Sequence, residues 1–208
     1  MTVSRLSLYN GALLDIGERR LASLTEDRKP RHDLDFLWDN GALRFCLEQG
    51  SWAFATRTSE MAYDPGIDPD FGFLHGFEKP SDFVRLIAIS TNEYFDPPLN
   101  RYRPEAGYWF CDEETIYVRY CSDDAAYGMD FSLWPQTFVE FVQSYLAFKL
   151  TPGIKNLTDI DRVEKNWTKK LLDAQSKDAI QEPTSFPPEG SWAAARHGGS
   201  YRSGRRER

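Results

Sequence analysis

Four segments of the chain carry apolar residues at the spacing of a helical face, two near the start and two near the end. They cover residues 4–16, 30–49, 135–150 and 158–181. Pro30 and Pro135 stand at first-turn positions, where proline is tolerated, and Gly17 and Gly50 follow the first two segments as helix stops. The pattern therefore predicts two helices on each side of a central region.

The central region has the pattern of short strands separated by turns. Apolar and polar side chains alternate, or apolar ones cluster, in four runs: residues 52–61, 83–90, 108–111 and 115–121. Residues 64–80 are rich in Asp, Pro and Gly, which predicts turns and little regular structure. The acidic run Asp112–Glu114 separates the last two predicted strands, so we expect it to be the tip of a hairpin.

Together these elements predict an α+β fold with three parts. Residues 1–50 and 132–182 form a four-helix bundle-like frame, and residues 51–131 form an inserted antiparallel β domain. Residues 183–208 are rich in Pro, Gly, Ser and Arg and lack an apolar period, so we expect an extended, flexible C-terminal arm.

The charge of the chain is divided between an acidic body and a basic arm. The net charge is −7, and residues 183–208 hold five Arg and two Glu, which leaves −10 for residues 1–182. An acidic body is a poor candidate for gripping nucleic acid, because phosphate binding requires Lys and Arg. Without a signal peptide or a long apolar run, the chain is expected to fold in a reducing cytoplasm, with its three cysteines free.

Residue patterns that carry chemistry are weak throughout the sequence. His32, His75 and His197 are the only histidines, and none lies in a recognised nucleophile context. No glycine-rich phosphate loop is present. The carboxylates of residues 64–70 are too widely separated by Pro and Gly for a calcium loop. We therefore predict a protein that is not an enzyme, with no catalytic residue, no cofactor and no metal.

Several segments, in order, resemble one known family. They read YNGALLDIGE at residues 9–18, LASLTED at 21–27, WAFA at 52–55, KPSDFVRL at 79–86 and WPQTF at 134–138, followed by LAFKL at 146–150. In this order and at this spacing they resemble the phage tail tubular protein A family, the adaptor subunits of short-tailed phages. The resemblance covers roughly residues 6–180.

This resemblance implies a structural protein of the virion, assembled in the host cytoplasm. Such a subunit forms a homo-oligomeric ring, commonly a dodecamer, between the portal protein and the tail nozzle or tube protein. In some phages it also helps to anchor a tail fibre. DNA would pass through the ring during ejection without specific binding, and no membrane is involved.

The arm combines aromatic and Arg side chains, which are the usual anchors of protein interfaces. We therefore expect it to clasp the portal protein. The residues expected to do so are Phe186, Trp192, Arg196, Tyr201, Arg202, Arg205 and Arg206.

Three alternatives remain open at this point. The chain could be a head-to-tail connector of a long-tailed phage, with a stopper or tail-completion protein as its partner. It could be a receptor- or glycan-binding module of the virion, in which Tyr108, Trp109 and Tyr117 stack on sugars. It could also be a wall hydrolase that uses the carboxylates of residues 112–114.

Overall fold

Helices at both ends of the chain enclose a central β region, in a computed structural model that describes residues 3–67, 69–70, 72–153 and 157–181. Within these residues the chain forms five α-helices and two three-stranded antiparallel sheets. The helices are α1 (Arg5–Asp15), α2 (Lys29–Asp39), α3 (Ala42–Glu48), α4 (Gln136–Leu150) and α5 (Leu157–Ala179). We call these helices the helical half. The predicted α+β class is confirmed.

The strands form what we call the β half. They are β1 (Thr56–Ala62), β2 (His75–Glu78), β3 (Phe83–Ser90), β4 (Arg103–Glu105), β5 (Tyr108–Cys111) and β6 (Thr115–Ser122). One sheet has the order β1-β6-β3, and the other has the order β2-β5-β4. A cluster of buried side chains, separate from that of the helical half, joins the two sheets: Phe77, Ile89, Trp109, Cys111, Ile116, Val118 and Tyr120.

Helix α4 lies at the centre of the helical half because most of its surface is apolar. Nine of its fifteen residues are buried, and α1, α2, α3 and α5 all contact it. A helix that is apolar on most sides is stable only where other elements cover those sides. Phe138 shows how dense this packing is, since its ring centroid lies 4.8 Å from those of Trp52, Phe54 and Trp134.

A network of polar groups ties α1 to α2 beside this core. The Arg5 guanidinium donates to Tyr9 Oη at 2.8 Å and lies 2.5 Å from Asp35 Oδ1, which also accepts the Tyr9 hydroxyl at 3.0 Å. Arg31 pairs with the second Asp35 oxygen at 2.7 Å. Arg5 also covers the ring of Trp38 at 4.9 Å. Because each polar group has a partner, the network is half-buried between the helices without a large desolvation penalty.

The prediction of one continuous helix over residues 30–49 is wrong. Helix α2 ends at Asp39 and α3 begins at Ala42. Gly41 between them has a φ of +83°, a conformation that other residues adopt only with strain. The side chain of Asn40 donates to Phe36 O at 2.7 Å, so it satisfies a carbonyl at the end of α2. The break lets both short helices reach α4.

Predictions for the β half are correct for three strands and wrong in several details. Residues 83–90, 108–111 and 115–121 are strands as expected. The first strand begins only at Thr56, because Ala53–Ala55 form a 3-10 turn. Strand β2 lies inside the segment predicted to be turns, and β4 was not predicted. Strands β5 and β6 belong to different sheets, so residues 112–114 link the sheets and are not a hairpin tip.

We expect Phe138→Ala to lower the free energy of unfolding by about 3 to 5 kcal/mol, because it leaves a cavity among three large aromatic rings. Urea denaturation followed by circular dichroism measures this change. Phe36→Ala is the matched control, because the Phe36 side chain on α2 is 67% exposed and should change stability by less than about 0.5 kcal/mol. Equal losses in the two variants would contradict the central position of α4.

Candidate interaction surfaces

A buried carboxylate joins the strands of the first sheet at the end that faces the helices. Asp82, whose side chain is 12% exposed, precedes β3 and accepts hydrogen bonds from β1 and β6. Arg57 donates to it at 2.9 Å, the Tyr120 hydroxyl donates at 3.1 Å, and the Ser122 hydroxyl donates to the same oxygen as Arg57. These contacts hold three strands in one arrangement.

The pKa values of this group follow from its surroundings. Burial favours the neutral form of Asp82, but the hydrogen bonds from Ser122, Arg57 and Tyr120 outweigh it and hold the pKa of Asp82 below its usual range. Burial, followed by the charge of Asp82, raises the pKa of Tyr120 to about 12. Asp82 is therefore a charged structural acceptor and Tyr120 a neutral donor at physiological pH.

A second ion pair connects this sheet to α3. Arg44 on α3 pairs with Asp123, which directly follows β6, and also donates to the carbonyl oxygen of Phe83 at the start of β3. Arg85 on β3 donates to the carbonyl oxygen of Glu48, the last residue of α3, at 3.1 Å. We call this junction between the two halves the seam. Polar groups of both halves donate hydrogen bonds across it, Arg44 from the helical half and Arg85 from the β half.

The end of α5 is anchored at this same seam. Both carboxylate oxygens of Asp178, which is only 8% exposed, lie 3.1 Å from the backbone nitrogen of Ala53, which donates to them. Gln175 donates to the carbonyl oxygen of Gln49 at 2.6 Å. A small cavity of about 230 Å³ lies here, between α3, Arg85 and the end of α5. The last described residue, Gln181, follows three positions after Asp178.

Beyond the other end of the first sheet, residues 91–98 form a loop that we call the Asn92 loop. The side-chain oxygen of Asn92 accepts the backbone N–H groups of Tyr94 (3.1 Å) and Asp96 (3.3 Å), and its amide donates to Asp96 O at 2.6 Å. Ser90 Oγ, which is buried, accepts the N–H of Asn92 and donates to Pro97 O at 3.0 Å. The loop is therefore braced from within and at both ends.

This braced loop presents aromatic side chains to solvent. Tyr94 is 80% exposed, the largest value among the large hydrophobic side chains of the described residues. Beside it, the Arg119 guanidinium lies 4.3 Å from the ring centroid of Phe95. Tyr117 precedes Arg119 by two residues on β6, so both side chains lie on the same face of the sheet. The Tyr117 hydroxyl donates to Glu60 at 3.3 Å. Exposed aromatics on rigid backbone are typical of protein interfaces.

The sequence pattern predicted only an interruption of regular structure at Asp96-Pro97-Pro98, and it did not predict the ordered Asn92 loop. Asn is a known turn residue, since its side chain bonds backbone groups about two residues ahead of it. That signal was present at Asn92. The bond from Ser90 to Pro97 and the ring contact with Arg119 join residues that only the folded sheet brings together.

The histidines do not assemble a catalytic site in the described part of the chain. His32 is half-exposed on α2 and pairs with Asp27 at 2.8 Å, as expected of an exposed helix start. The prediction that His75 lies in a loop is wrong: it is on β2, and its ring centroid lies 4.2 Å from that of Tyr63. His197 lies outside the described residues.

The candidate carboxylates are engaged in local contacts. Asp64 accepts the backbone N–H of Gly66 at 2.8 Å, as expected for a turn, and Asp68 lies outside the described residues. Asp112 accepts the N–H of Leu74 at 3.2 Å and lies 3.4 Å from Arg101. Among the described residues no three His, Cys, Asp or Glu side chains are grouped to hold a metal ion.

The three cysteines, predicted to be free, are free and buried. Burial raises the pKa of the Cys46 thiol well above its ordinary value. Burial, followed by the negative charge of Asp123, raises the pKa of the Cys121 thiol to about 12. Because the thiolate is the reactive form, both side chains are unsuited to act as nucleophiles at neutral pH.

The residues named for a sugar-binding surface do not share one. Trp109 is 1% exposed and packs edge-on against Phe83, with ring centroids 5.2 Å apart. Tyr108 lies on β5 of the second sheet, whereas Tyr117 lies on β6 of the first. The aromatic surface that this alternative requires is therefore absent from these three positions.

All seven residues predicted to contact the portal lie outside the described residues. These residues are Phe186, Trp192, Arg196, Tyr201, Arg202, Arg205 and Arg206.

We expect Asp82→Asn to lower the free energy of unfolding at pH 7 by roughly 1 to 3 kcal/mol, because Arg57 loses a charged acceptor in a half-buried site. The folded-state pKa of Asp82 is depressed, so its contribution is present above the unfolded pKa of about 3.9 and is lost as pH falls through the lower folded value. Urea unfolding at neutral pH and near pH 3 should therefore show the difference from wild type shrink in acid. Asp39→Asn, at a 71% exposed side chain, is the control; a difference for Asp82→Asn that did not change with pH would refute this role.

No protein-family model matches the sequence, and no curated protein matches it either. Within the part of the chain that the structure describes, no helix combines the length and apolar character needed to span a bilayer.

Proposed function

We propose that this chain is a structural protein of a phage virion, a tail-adaptor subunit that forms a ring between the portal protein and the tail nozzle or tube protein. In this role the subunit has no reaction to catalyse. It needs one surface for the portal, one for the tail protein and lateral surfaces for its neighbours in the ring.

The observation that carries the proposal is the placement of two candidate contact sites at opposite ends of β1. The end of α5, which precedes the C-terminal segment in the sequence, lies beside Ala53, just before β1 begins at Thr56. The Asn92 loop lies past the end of β3, which is paired through β6 with the far end of β1. Because a strand rises about 3.3 Å per residue, the seven residues of β1 separate these sites by roughly 20 Å. A subunit that links two different partners requires such a separation.

The rigid seam between the two halves supports the same role. The ion pair between Arg44 and Asp123, the hydrogen bond from Arg85 to Glu48 O and the anchored end of α5 hold the β half in a fixed direction relative to the helices. A ring closes only when each subunit repeats the same angle between its contact surfaces. A flexible junction between the two halves would let the angle between contact surfaces vary from one subunit to the next.

The charge of the chain is also suited to a channel through which DNA passes. Residues 50–131 hold fifteen acidic and six basic side chains, a net charge of −9, whereas residues 1–49 and 132–182 together carry −1. An acidic surface denies the phosphates a partner, so DNA would move past it without specific binding.

The proposal is tested by mixing the purified chain with the portal protein of the same virion and imaging the product by negative-stain electron microscopy. We expect a ring of adaptor density on one face of the portal, with twelve subunits as the expected number from the resemblance. Portal particles without added density at saturating adaptor concentration would refute the proposed function.

We expect deletion of residues 183–208 to leave the body folded but to weaken its docking on portal rings strongly, because the arm carries the aromatic and Arg anchors. Co-sedimentation with portal rings measures docking, and circular dichroism confirms folding. A narrower variant replaces the four arginines Arg196, Arg202, Arg205 and Arg206 with Gln, which keeps the length of the arm. Unchanged docking in both variants would show that the portal contact lies elsewhere.

A further inference from the structure

The Asn92 loop has the properties of a preformed docking surface. Three hydrogen bonds from one side chain set its backbone, and the buried Ser90 hydroxyl closes its base. Because this order exists without a partner, little conformational entropy is lost when the loop binds one. Tyr94 at its tip is not used for packing, since 80% of it is exposed.

The surroundings of Tyr94 indicate the chemistry of what it binds. Glu93 and Asp96 flank it in the sequence, and Glu60 lies on the adjoining sheet face, where it accepts the Tyr117 hydroxyl. The charge of Glu60, followed by desolvation, the hydrogen bond to Glu60 and the charge of Glu93, raises the pKa of Tyr117. Exposed aromatic rings next to carboxylates match a cationic partner, because ring faces and carboxylates both attract cations.

The same surface already contains one example of this contact. Arg119 lies over the face of Phe95 with its guanidinium carbon 4.3 Å from the ring centroid. A second guanidinium placed over Tyr94 would meet another ring face, which Glu93 and Asp96 flank in the sequence. Guanidinium groups suit such sites better than ammonium groups, because they are planar and more weakly hydrated.

We propose that the Asn92 loop, with Tyr94 as its anchor, Glu93 and Asp96 flanking it in the sequence and Glu60 beside Tyr117 on the adjoining sheet face, is the docking surface for an arginine-bearing segment of the tail-side partner protein. This inference rests on the proposed function, and it assigns the tail-side contact to the side of the subunit remote from the end of α5. The net charge of −9 in the surrounding region favours a basic segment over a neutral or acidic one.

The test separates the two docking steps. Wild-type and variant full-length chains are first assembled on portal rings, and the tail-side protein of the same virion is then titrated onto the assembled particles. We expect Tyr94→Ala and Glu93→Lys to dock on the portal as wild type does but to raise the dissociation constant for the tail-side protein by about tenfold or more. Glu164→Lys, which makes the same charge change on an exposed position of α5, should leave both steps unchanged.

The outcomes distinguish this inference from the proposed function. Failure of the wild-type chain to dock on the portal would overturn the proposed function itself. Normal portal docking together with wild-type affinity of Tyr94→Ala and Glu93→Lys for the tail-side protein would overturn only the assignment of the Asn92 loop.

A photo-crosslinking amino acid at position 94 identifies the occupant directly. In assembled particles we expect crosslinks to an arginine-containing peptide of the tail-side protein, identified by mass spectrometry. Crosslinks to residues 183–208 of another adaptor copy, or to a peptide without basic residues, would overturn the proposal.

Discussion

The burial of α4 is the constraint on which the rest of this structure depends. Trp52, which lies between α3 and the β half, extends that constraint beyond the helices. Its ring packs against Phe138 and Phe141 of α4, and its indole N–H donates to Cys46 O at 3.2 Å. The residue that leads into β1 is therefore held inside the helical core. Moving the β half would require withdrawing a large aromatic side chain from that core, at a cost of several kcal/mol by the scale of aromatic burial.

The sequence predicted the helical stripes well because helix periodicity is a local property. It failed where one residue with special backbone freedom interrupts a stripe, as Gly41 does between α2 and α3. It also failed at β2, where Phe77 is fully buried although Pro, Gly and Asp surround the strand in sequence. Strand β2 exists because it pairs with β5, more than thirty residues later, and no local pattern encodes that pairing.

The contacts around the candidate surfaces could not be predicted from the sequence for the same reason, since they join residues that are far apart in the chain. Asp82 meets Arg57 and Tyr120 across 25 and 38 residues of chain. From the sequence alone, Trp109 looked as available for binding as Tyr117, because alternation along a strand shows that two faces differ but does not show which face a second sheet covers. The position of the end of α5 beside the start of the β half became known only from the contact between Asp178 and Ala53.

The partition of charge bears on how a ring of such subunits would assemble. Each β half carries −9, so bringing several together in a ring costs electrostatic free energy that salt only partly screens within about 8 Å. The nearly neutral helical halves add little to this repulsion, and the arm, at +3, offsets only part of it. Ring closure is then favoured chiefly where a partner supplies positive charge or holds the subunits in place. Under the proposed function, the basic partner proposed for the Asn92 loop would also bind a closed ring more strongly than a single subunit, because the ring presents many copies of the loop.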